Sequence, residues 1–285
     1  MLTLIFDQAA TRFGLDYHPE CPARLINAEA YLLDKHPGWI WTKPRLATEE
    51  EVLRVHRPNH LERLRQPVDF DADTPYYPGI EEHARRAAGA AIGSVDLALG
   101  GRKGFSLMRP PGHHSTPTRA MGFCYMNSIT IAASYALETG CERVGIWDFD
   151  AHHGNGTEEI VFGHSRIRFA SIHQYPGYPG SGRASRGNVF NWPIPPQSEA
   201  GRHASAVQRA LDCLVEFNPD VLLVSAGFDA YAHDPLTEMT LELEHFGIFG
   251  RWLKETGLPA AVILEGGYSE DLPILIEAFL VEWSD

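Results

Sequence analysis

Residues 144–156 read VGIWDFDAHHGNG, and this stretch decides the fold that the sequence predicts. A short apolar run of strand length is followed at once by aspartates, histidines and glycines. The same arrangement recurs in FSLM before RPPGHH (109–114), in VLLVSA before GFDA (227–230) and in AVIL before EGGY (265–268). Runs that are apolar throughout are typical of strands in a sheet covered on both faces. Because open parallel sheets bind ligands beyond the carboxyl ends of their strands, we expect the four polar segments to form one site.

Helical patterns alternate with these apolar runs along the chain. The predicted strands are residues 2–6, 104–108, 143–149, 168–172, 221–226 and 261–264. The predicted helices are residues 23–35, 79–98, 127–139, 204–217, 241–256 and 272–283. This alternation predicts βαβ units and a mostly parallel sheet in one α/β domain over residues 1–285. Two long loops, residues 65–78 and 174–201, are predicted to be binding loops, since loops of that length in a compact enzyme usually have a function.

The composition is that of a globular protein and excludes several classes. Hydrophobic residues make up 44% and charged residues 21%, which excludes a disordered or fibrous chain. The formal net charge of −13 disfavours nucleic-acid binding, because the phosphate backbone is also negative. The four cysteines are far apart, so neither a disulfide framework nor a cysteine zinc site is indicated. The apolar stretch before Asp7 is too short for a signal peptide or a membrane span, and we therefore expect a cytoplasmic protein with no membrane partner.

The segment around Asp148 predicts a metal site. In an extended chain Asp148, Asp150 and His152 project to one face, while His153 points to the other and is predicted to be structural. Carboxylates and an imidazole crowded together repel and lose hydration unless a cation compensates them. Asp150, His152 and Asp229 would form an open site that suits Zn²⁺, with Fe²⁺ or Co²⁺ as alternatives. An aspartate cap beside a satisfied core histidine is the other interpretation.

Two adjacent histidines, His113 and His114, follow a rigid Pro-Pro-Gly turn. A metal-activated water needs a base and a departing amine needs an acid, so the pair indicates general acid–base catalysis. Asp148 and Asn155 are candidate partners for the two imidazoles, and the charged partner would raise the basicity of its histidine. Tyr268 follows two glycines and could donate a hydrogen bond to a carbonyl oxygen that becomes an oxyanion. A surface histidine pair and a purely packing role for the tyrosine are the alternatives.

The most specific motifs are RPPGHH, GFCYMN (122–127), DFDAHHGNGTEEIVF, SAGFDA with DPL downstream, and EGGY. They resemble the zinc-dependent histone deacetylase superfamily, which includes class I and class II histone deacetylases and bacterial acetylpolyamine amidohydrolases. The resemblance runs in order from HPECPARL (18–25) to EGGY and therefore covers almost the whole chain. It implies the arginase/deacetylase fold, a single α/β domain with an eight-stranded parallel sheet flanked by helices. The asparagine in HHGNGT is closer to the class II and bacterial branch.

The resemblance also implies a role for individual residues. The zinc ligands are Asp150, His152 and Asp229. The catalytic groups are His113 backed by Asp148, His114 backed by Asn155, and the carbonyl-polarising phenol of Tyr268. The acyl tunnel is lined by Gly122, Phe123, Tyr178, Gly266 and Gly267, with Asp73 at its rim and Arg24 near a cavity for the released acetate. A structural K⁺ is held by Asp148 and Ser171 and by the main chain of Asp150, His152 and Ile172.

These expectations converge on a zinc-dependent deacetylase, an amidohydrolase that hydrolyses the amide of an N-acylated lysine or a related small acylated amine, with His114 as the base. An acetylpolyamine amidohydrolase is the alternative, but the segment 56–73 leaves no room for the loop insertion that such enzymes often carry. An arginase-like enzyme with two Mn²⁺ ions would need carboxylates at the positions of Gly154 and Tyr231. A module that binds acyl-lysine or acetate without catalysis is a further alternative.

Overall fold

The computed structural model describes residues 2–284, and Met1 and Asp285, the two ends of the predicted domain, lie outside the described residues. The strands are β1 Leu2–Ile5, β2 Ile40–Thr42, β3 Lys103–Ser106, β4 Val144–Asp148, β5 Ile167–Gln174, β6 Val189–Ile194, β7 Val221–Ala226 and β8 Ala260–Leu264. All eight belong to one parallel sheet in the order β2-β1-β3-β8-β7-β4-β5-β6. The predicted parallel α/β class and the eight strands implied by the resemblance are confirmed.

Nine α-helices connect these strands within the described chain. They are α1 Ala23–Lys35, α2 Glu49–Leu53, α3 Pro58–Leu64, α4 Ile80–Leu99, α5 Ser128–Glu138, α6 Asn155–Val161, α7 Ala200–Val215, α8 Leu243–Glu255 and α9 Leu272–Ser284, with a short 3-10 helix at Gln8–Thr11. The loop predicted over residues 65–78 lies between α3 and α4. None of the helices within residues 2–284 combines the length and the apolar composition that a bilayer-spanning segment needs.

Helices cover both faces of the sheet, which is why its central strands are apolar throughout. Alternate residues of β4 face opposite sides: Ile146 packs in the cluster to which α4 and α5 contribute, and Trp147 packs in the cluster of α7, α8 and α9. The ring of Trp147 lies 6.4 Å from that of Phe249 on α8. Every residue of β4, β7 and β8 is buried. These strands form a rigid support for the loops at their ends.

The two edge strands and three short helices differ from the predicted elements. The apolar pattern predicted six strands and missed β2 and β6, and the loop predicted over residues 174–201 was wrong for Val189–Ile194. Residues of β2 are half-buried or exposed, so this strand has no apolar run, and β6 contains Pro193, which is compatible with an edge position. Helices of five to seven residues, such as α2, α3 and α6, are too short to show a helical period.

The four strands that precede the polar motifs are neighbours in the sheet. β3, β8, β7 and β4 are consecutive in the strand order, and all of them are parallel. Their carboxyl ends therefore lie side by side, and the loops that follow them meet at one edge of the sheet. This is the crevice in which open parallel sheets bind ligands.

Candidate active site

Asp150, His152 and Asp229 lie together at this edge of the sheet. One potential ligand atom from each residue lies within 4.8 Å of the other two. His152 Nδ1 is 2.7 Å from Oδ2 of Asp229 and 3.2 Å from Oδ1 of Asp150. Both carboxylates are buried, and burying two negative charges side by side is costly unless a cation compensates them. One nitrogen and two carboxylates are a donor set that zinc accepts.

The main chain around the two carboxylates holds them in place. The amide of Gly266 donates to Oδ2 of Asp150 at 2.8 Å, and the amide of Ala151 donates to Oδ1 of Asp229 at 2.7 Å. A Cβ atom on Gly266 would lie 2.5 Å from an oxygen of each carboxylate, and one on Gly227 would lie 2.2 Å from Asp150 Oδ2. Only glycine leaves room for the two aspartates to approach each other at these positions. The residues present therefore fit a divalent cation.

Gly154 excludes the second metal of an arginase-like enzyme. A Cβ atom at this position would lie 2.3 Å from Oδ2 of Asp148, so a carboxylate side chain does not fit here. Asp148 is not a member of the three-residue group, and its Oδ2 lies 3.1 Å from Nδ1 of His113. The geometry supports a site for one ion.

The two adjacent histidines have different partners. His113 Nδ1 lies 3.1 Å from Oδ2 of Asp148, and His114 Nδ1 lies 2.8 Å from Oδ1 of Asn155. Their rings are 4.0 Å apart and both side chains are buried. The structure therefore contains both predicted pairs, His113 with Asp148 and His114 with Asn155.

The partners give the two histidines opposite pKa shifts. Burial lowers the pKa of His113, but the charges of Asp150 and Asp148 outweigh it and raise the pKa to about 10. Burial lowers the pKa of His114 well below its ordinary value, and the positive charges of His113 and His152 lower it further. The pair therefore combines one imidazole whose pKa is raised with one whose pKa is lowered.

Tyr268 completes the group on the opposite side of the cavity. The guanidinium of Arg24 lies 4.8 Å from the centre of its ring, and the ring of Phe123 contacts it edge-on at 5.7 Å. Burial raises the pKa of the Tyr268 phenol well above its ordinary value, although Arg24 opposes the shift. The phenol stays protonated at neutral pH and is available as a hydrogen-bond donor.

A cavity of about 290 Å³ leads from the surface to these groups. Gly122, Phe123 and Tyr178, predicted to line the tunnel, line it together with Asp73. The ring of Tyr178 is 5.1 Å from that of His114 and perpendicular to it. Three aromatic rings, those of Phe123, Tyr178 and Tyr268, are part of its lining.

Three further residues line the mouth and had no predicted role: His18, Pro19 and Leu236. His18 and Pro19 begin the HPECPARL motif, and Leu236 ends the DPL motif, so the motifs contained them without indicating where they lie. His18 Nε2 lies 3.2 Å from the carbonyl oxygen of Asp73. This contact joins two loops of the rim that are far apart in the sequence.

Two predicted tunnel residues, Gly266 and Gly267, and the arginine predicted near the acetate cavity lie outside this cavity. Gly266 and Gly267 do not line this cavity, because Gly266 packs against the carboxylates and Gly267 against Phe228 and Leu272. Arg24 is buried and donates to the carbonyl oxygens of Glu265 and Gly267, each at 2.7 Å. It also borders a second cavity of about 680 Å³ that shares Tyr268 with the first. The arginine therefore fixes the loop that carries the tyrosine.

The residues predicted to hold K⁺ lie on neighbouring strands. Asp148 on β4 pairs in register with Ser171 on β5, and both are buried. The Ser171 hydroxyl lies 2.9 Å from Nδ1 of His173. His153, predicted to be structural, contacts Ser181 at 2.8 Å and Glu158 at 3.0 Å, and it is not a member of the three-residue metal group.

Comparisons with known proteins agree with this geometry. Residues 18–278 match the family model described as histone deacetylase domain. The chain is 39% identical over 246 residues to a histone deacetylase-like amidohydrolase of Pseudomonas aeruginosa, a match covering 79% of this chain and 65% of the relative. It is 32% identical over 282 residues to acetylpolyamine amidohydrolase 2 of the same organism, covering 92% of this chain and 80% of the relative. The solved HD domain of HDA15 matches with a TM-score of 0.91 at 30% identity, covering 100% of this chain and 88% of that chain.

The matched region includes the three-residue metal group, both histidines and Tyr268. The extent of the structural match confirms the predicted arginase/deacetylase fold. Identities above 30% over most of the chain show common descent rather than a shared fold alone. The chain therefore belongs to the histone deacetylase family, a family of enzymes that hydrolyse linear amides.

Proposed function

We propose that this chain is a zinc-dependent deacetylase that hydrolyses the amide of an N-acylated lysine side chain or a related small acylated amine. The observation that carries the proposal is the group of Asp150, His152 and Asp229 beside two histidines with opposite pKa shifts, at a cavity that His114, His152 and Tyr268 line. Zinc held by these three residues would supply Lewis-acid activation of the acyl carbonyl and of the attacking water.

His114 is the base in this proposal. Its Nδ1–H donates to the side-chain oxygen of Asn155, so its Nε2 carries the free lone pair. Its lowered pKa keeps it neutral and able to take a proton from water as the water attacks the amide carbon. The proton then passes from the histidine pair to the nitrogen of the departing amine. The products are a carboxylate and an amine, and the water supplies the atoms gained by both.

Tyr268 is the second group that acts on the carbonyl. Its protonated phenol donates a hydrogen bond to the carbonyl oxygen as negative charge develops there. Phe123 and Tyr178 form the sides of the cavity and contact the methylene chain of the substrate. The aromatic lining therefore favours an apolar methylene chain that ends in an amide.

Acyl-lysine is the preferred substrate class in this proposal, and an acetylated polyamine is the second candidate. The relative that is 39% identical is named a histone deacetylase-like amidohydrolase, and the one that is 32% identical is named an acetylpolyamine amidohydrolase. Asp73 at the mouth would attract the free ammonium of an acetylated polyamine, whereas acylation removes the charge of a lysine side chain. The K⁺ site at Asp148 and Ser171 and the cytoplasmic location stay predictions.

The test compares substrates on the zinc-loaded protein. We expect acetyl-lysine peptides to give a higher kcat/KM than acetylputrescine and acetylspermidine, and a chelator to remove the activity until zinc is restored. Tyr268→Phe is expected to lower kcat by about 10²–10³-fold. Tyr231→Phe is the matched control, since the Tyr231 hydroxyl donates to Asp271 at 3.1 Å and does not line the cavity.

The other outcomes decide between the alternatives. A preference for the acetylated polyamines would identify the chain as an acetylpolyamine amidohydrolase. Binding of acetyl-lysine peptides without turnover of any amide would identify a non-catalytic module and overturn the proposal.

A further inference from the structure

Asp234 is a buried carboxylate that lies outside the metal group and the histidine pair. Its side chain belongs to the loop between β7 and α8, and the residue is 6% exposed. Oδ2 accepts a hydrogen bond from the amide of Tyr268 at 2.7 Å, and Oδ1 accepts one from the amide of Leu236 at 2.9 Å. One side chain thus binds the main chain of the tyrosine and the main chain of a residue at the mouth of the cavity.

The backbone before Tyr268 needs such a restraint. Two glycines precede the tyrosine, and Gly267 has φ of +119°, a backbone conformation that glycine adopts without steric penalty. Glycine can also change to other conformations easily. The ring itself is contacted by Arg24 and Phe123, but neither of these contacts involves the main chain of Tyr268. The hydrogen bond to the Tyr268 amide holds the main-chain atom from which the side chain extends.

The loop of Asp234 is itself fixed to the metal group. The Thr237 hydroxyl donates to the carbonyl oxygen of Asp229 at 2.5 Å, and the amide of Asp234 donates to the carbonyl oxygen of Tyr231 at 3.0 Å. The loop of Asp234 therefore connects the metal ligand Asp229 to the main chain of Tyr268.

We propose that Asp234 is a positioning residue, which holds the Tyr268 main chain so that the phenol reaches the substrate carbonyl. The inference rests on the proposed deacetylase function, because it assigns the phenol a role in that reaction. A displacement of about 1 Å at a reacting group can cost about 10²-fold in rate, so the loss of this hydrogen bond affects kcat. Asp234 itself does not line the aromatic cavity, and Leu236, which its other oxygen holds, borders only the mouth, so the loss is expected mainly in kcat.

The test is a double-mutant cycle with kcat and KM as separate readouts. Asp234→Asn keeps the volume of the side chain but leaves one carbonyl oxygen for two amide donors. We expect D234N to lower kcat by about 10- to 100-fold and to change KM by less than about twofold. In the Tyr268→Phe background the same change is expected to cost less than about twofold, because the phenol that it positions is absent.

A second readout does not depend on activity. Hydrogen exchange of the segment 265–272 is expected to be at least about tenfold faster at the Tyr268 amide in D234N, with protection unchanged outside this segment and the Leu236 amide, which Asp234 also binds. Asp220→Asn is the matched control, because Asp220 accepts main-chain hydrogen bonds from Glu142 at 2.7 Å and Arg143 at 2.9 Å. These residues lie at the amino-terminal ends of β7 and β4, away from the site. This variant is expected to keep both the wild-type kcat and the exchange of the 265–272 segment.

Three results would overturn the inference. The first is a kcat of D234N within about twofold of the wild type, and the second is a double mutant in which D234N lowers kcat by the same factor as it does when Tyr268 is present. The third is unchanged hydrogen exchange at the Tyr268 amide. If D234N does not fold, Asp234→Glu, which keeps both acceptor oxygens but displaces them, takes its place in the same cycle. A failure of the proposed function would give a different result from a failure of this inference. The wild type would then hydrolyse no amide, whereas the exchange experiment would still measure the hydrogen bond between the Tyr268 amide and Asp234.

Discussion

His114 and Asn155 face each other with 2.8 Å between Nδ1 and Oδ1, a contact between two uncharged groups. Asn155→Asp would place a carboxylate there, and an opposite charge at this distance raises the pKa of an imidazole by about 1–3 units. A base must be neutral to take a proton, so a higher pKa means that activity is lost at a higher pH. We expect the acid limb of the kcat/KM profile to move upward by about one unit or more.

The measurement is a pH–rate profile of the wild type and of N155D from pH 9 down to the lowest pH at which both stay folded and keep the metal, since the pKa of His114 is lowered well below its ordinary value. Tyr268→Phe is the control, because it lowers the rate without changing the surroundings of His114 Nδ1 and is expected to keep the wild-type acid limb. An acid limb of N155D that coincides with that of the wild type would show that His114 is not the base.

A second group of potential metal ligands lies close to the first. His113, Cys124 and Glu265 also have one ligand atom each within 4.8 Å of one another. The carboxylate of Glu265 already accepts hydrogen bonds from the amide of Gly112 at 2.6 Å and from the Ser225 hydroxyl at 3.1 Å. Burial raises the pKa of the Cys124 thiol well above its ordinary value, so it stays protonated. We therefore expect zinc at Asp150, His152 and Asp229 only.

Zinc content measured by mass spectrometry on purified variants tests this expectation. Asp229→Asn removes a charged ligand and is expected to lower the zinc content well below one ion per chain. Glu265→Gln is the matched variant and is expected to keep the wild-type zinc content, since it changes a buried carboxylate outside the ligand set. Loss of zinc from E265Q with retention in D229N would place the ion at the second group.

Gly122 is a position at which one added methyl group is expected to reduce activity. Its φ is +57°, and a Cβ atom would lie 2.5 Å from Cδ2 of His114 and 2.9 Å from the Tyr178 hydroxyl. Gly122→Ala must therefore displace the imidazole or the tyrosine ring. We expect kcat/KM to fall by about 10²-fold, because small displacements of a catalytic base are costly.

Steady-state kinetics with an acetyl-lysine peptide provides the measurement. Gly201→Ala on α7 is the control, because a Cβ atom there meets no other atom within 4 Å, and its activity is expected to be that of the wild type. Full activity in G122A would mean that the base does not need the position that His114 occupies.

The central strands and the motif residues could be predicted from the sequence, but the contacts between distant segments could not. Asp148, Asp150 and His152 alternate along the chain, which is a local signal. Because they follow an apolar run, the sequence also indicated that they lie at the carboxyl end of a strand. Asp234 reaches Tyr268 across 34 positions of the chain, and no periodicity records that contact. Edge strand β2 was missed for a related reason, since its exposed residues leave no apolar pattern. Local sequence patterns predict individual helices and strands, whereas tertiary packing determines which loops are in contact.

His203 on α7 makes stability depend on pH. It is wholly buried, and neither ring nitrogen has a hydrogen-bond partner among residues 2–284. Burial, with a smaller contribution from His245, lowers its pKa to about 4, against about 6.5 in the unfolded chain. Between these values the unfolded state binds more protons than the folded state, so stability falls as the pH drops from about 6.5 to about 4. At pH 5 the loss is about 2 kcal/mol relative to neutral pH.

His203→Leu removes this titration and two buried polar atoms with little change in volume. We expect the difference in the free energy of unfolding between pH 8 and pH 5 to shrink by about 2 kcal/mol, measured by denaturant titration at equal metal loading. At pH 8 the variant is expected to be at least as stable as the wild type, since it buries no unpartnered nitrogen. His233→Gln, at an exposed position, is the control and is expected to leave the pH dependence unchanged. The same pH dependence in H203L as in the wild type would mean that the imidazole gains a proton without unfolding the helix around it.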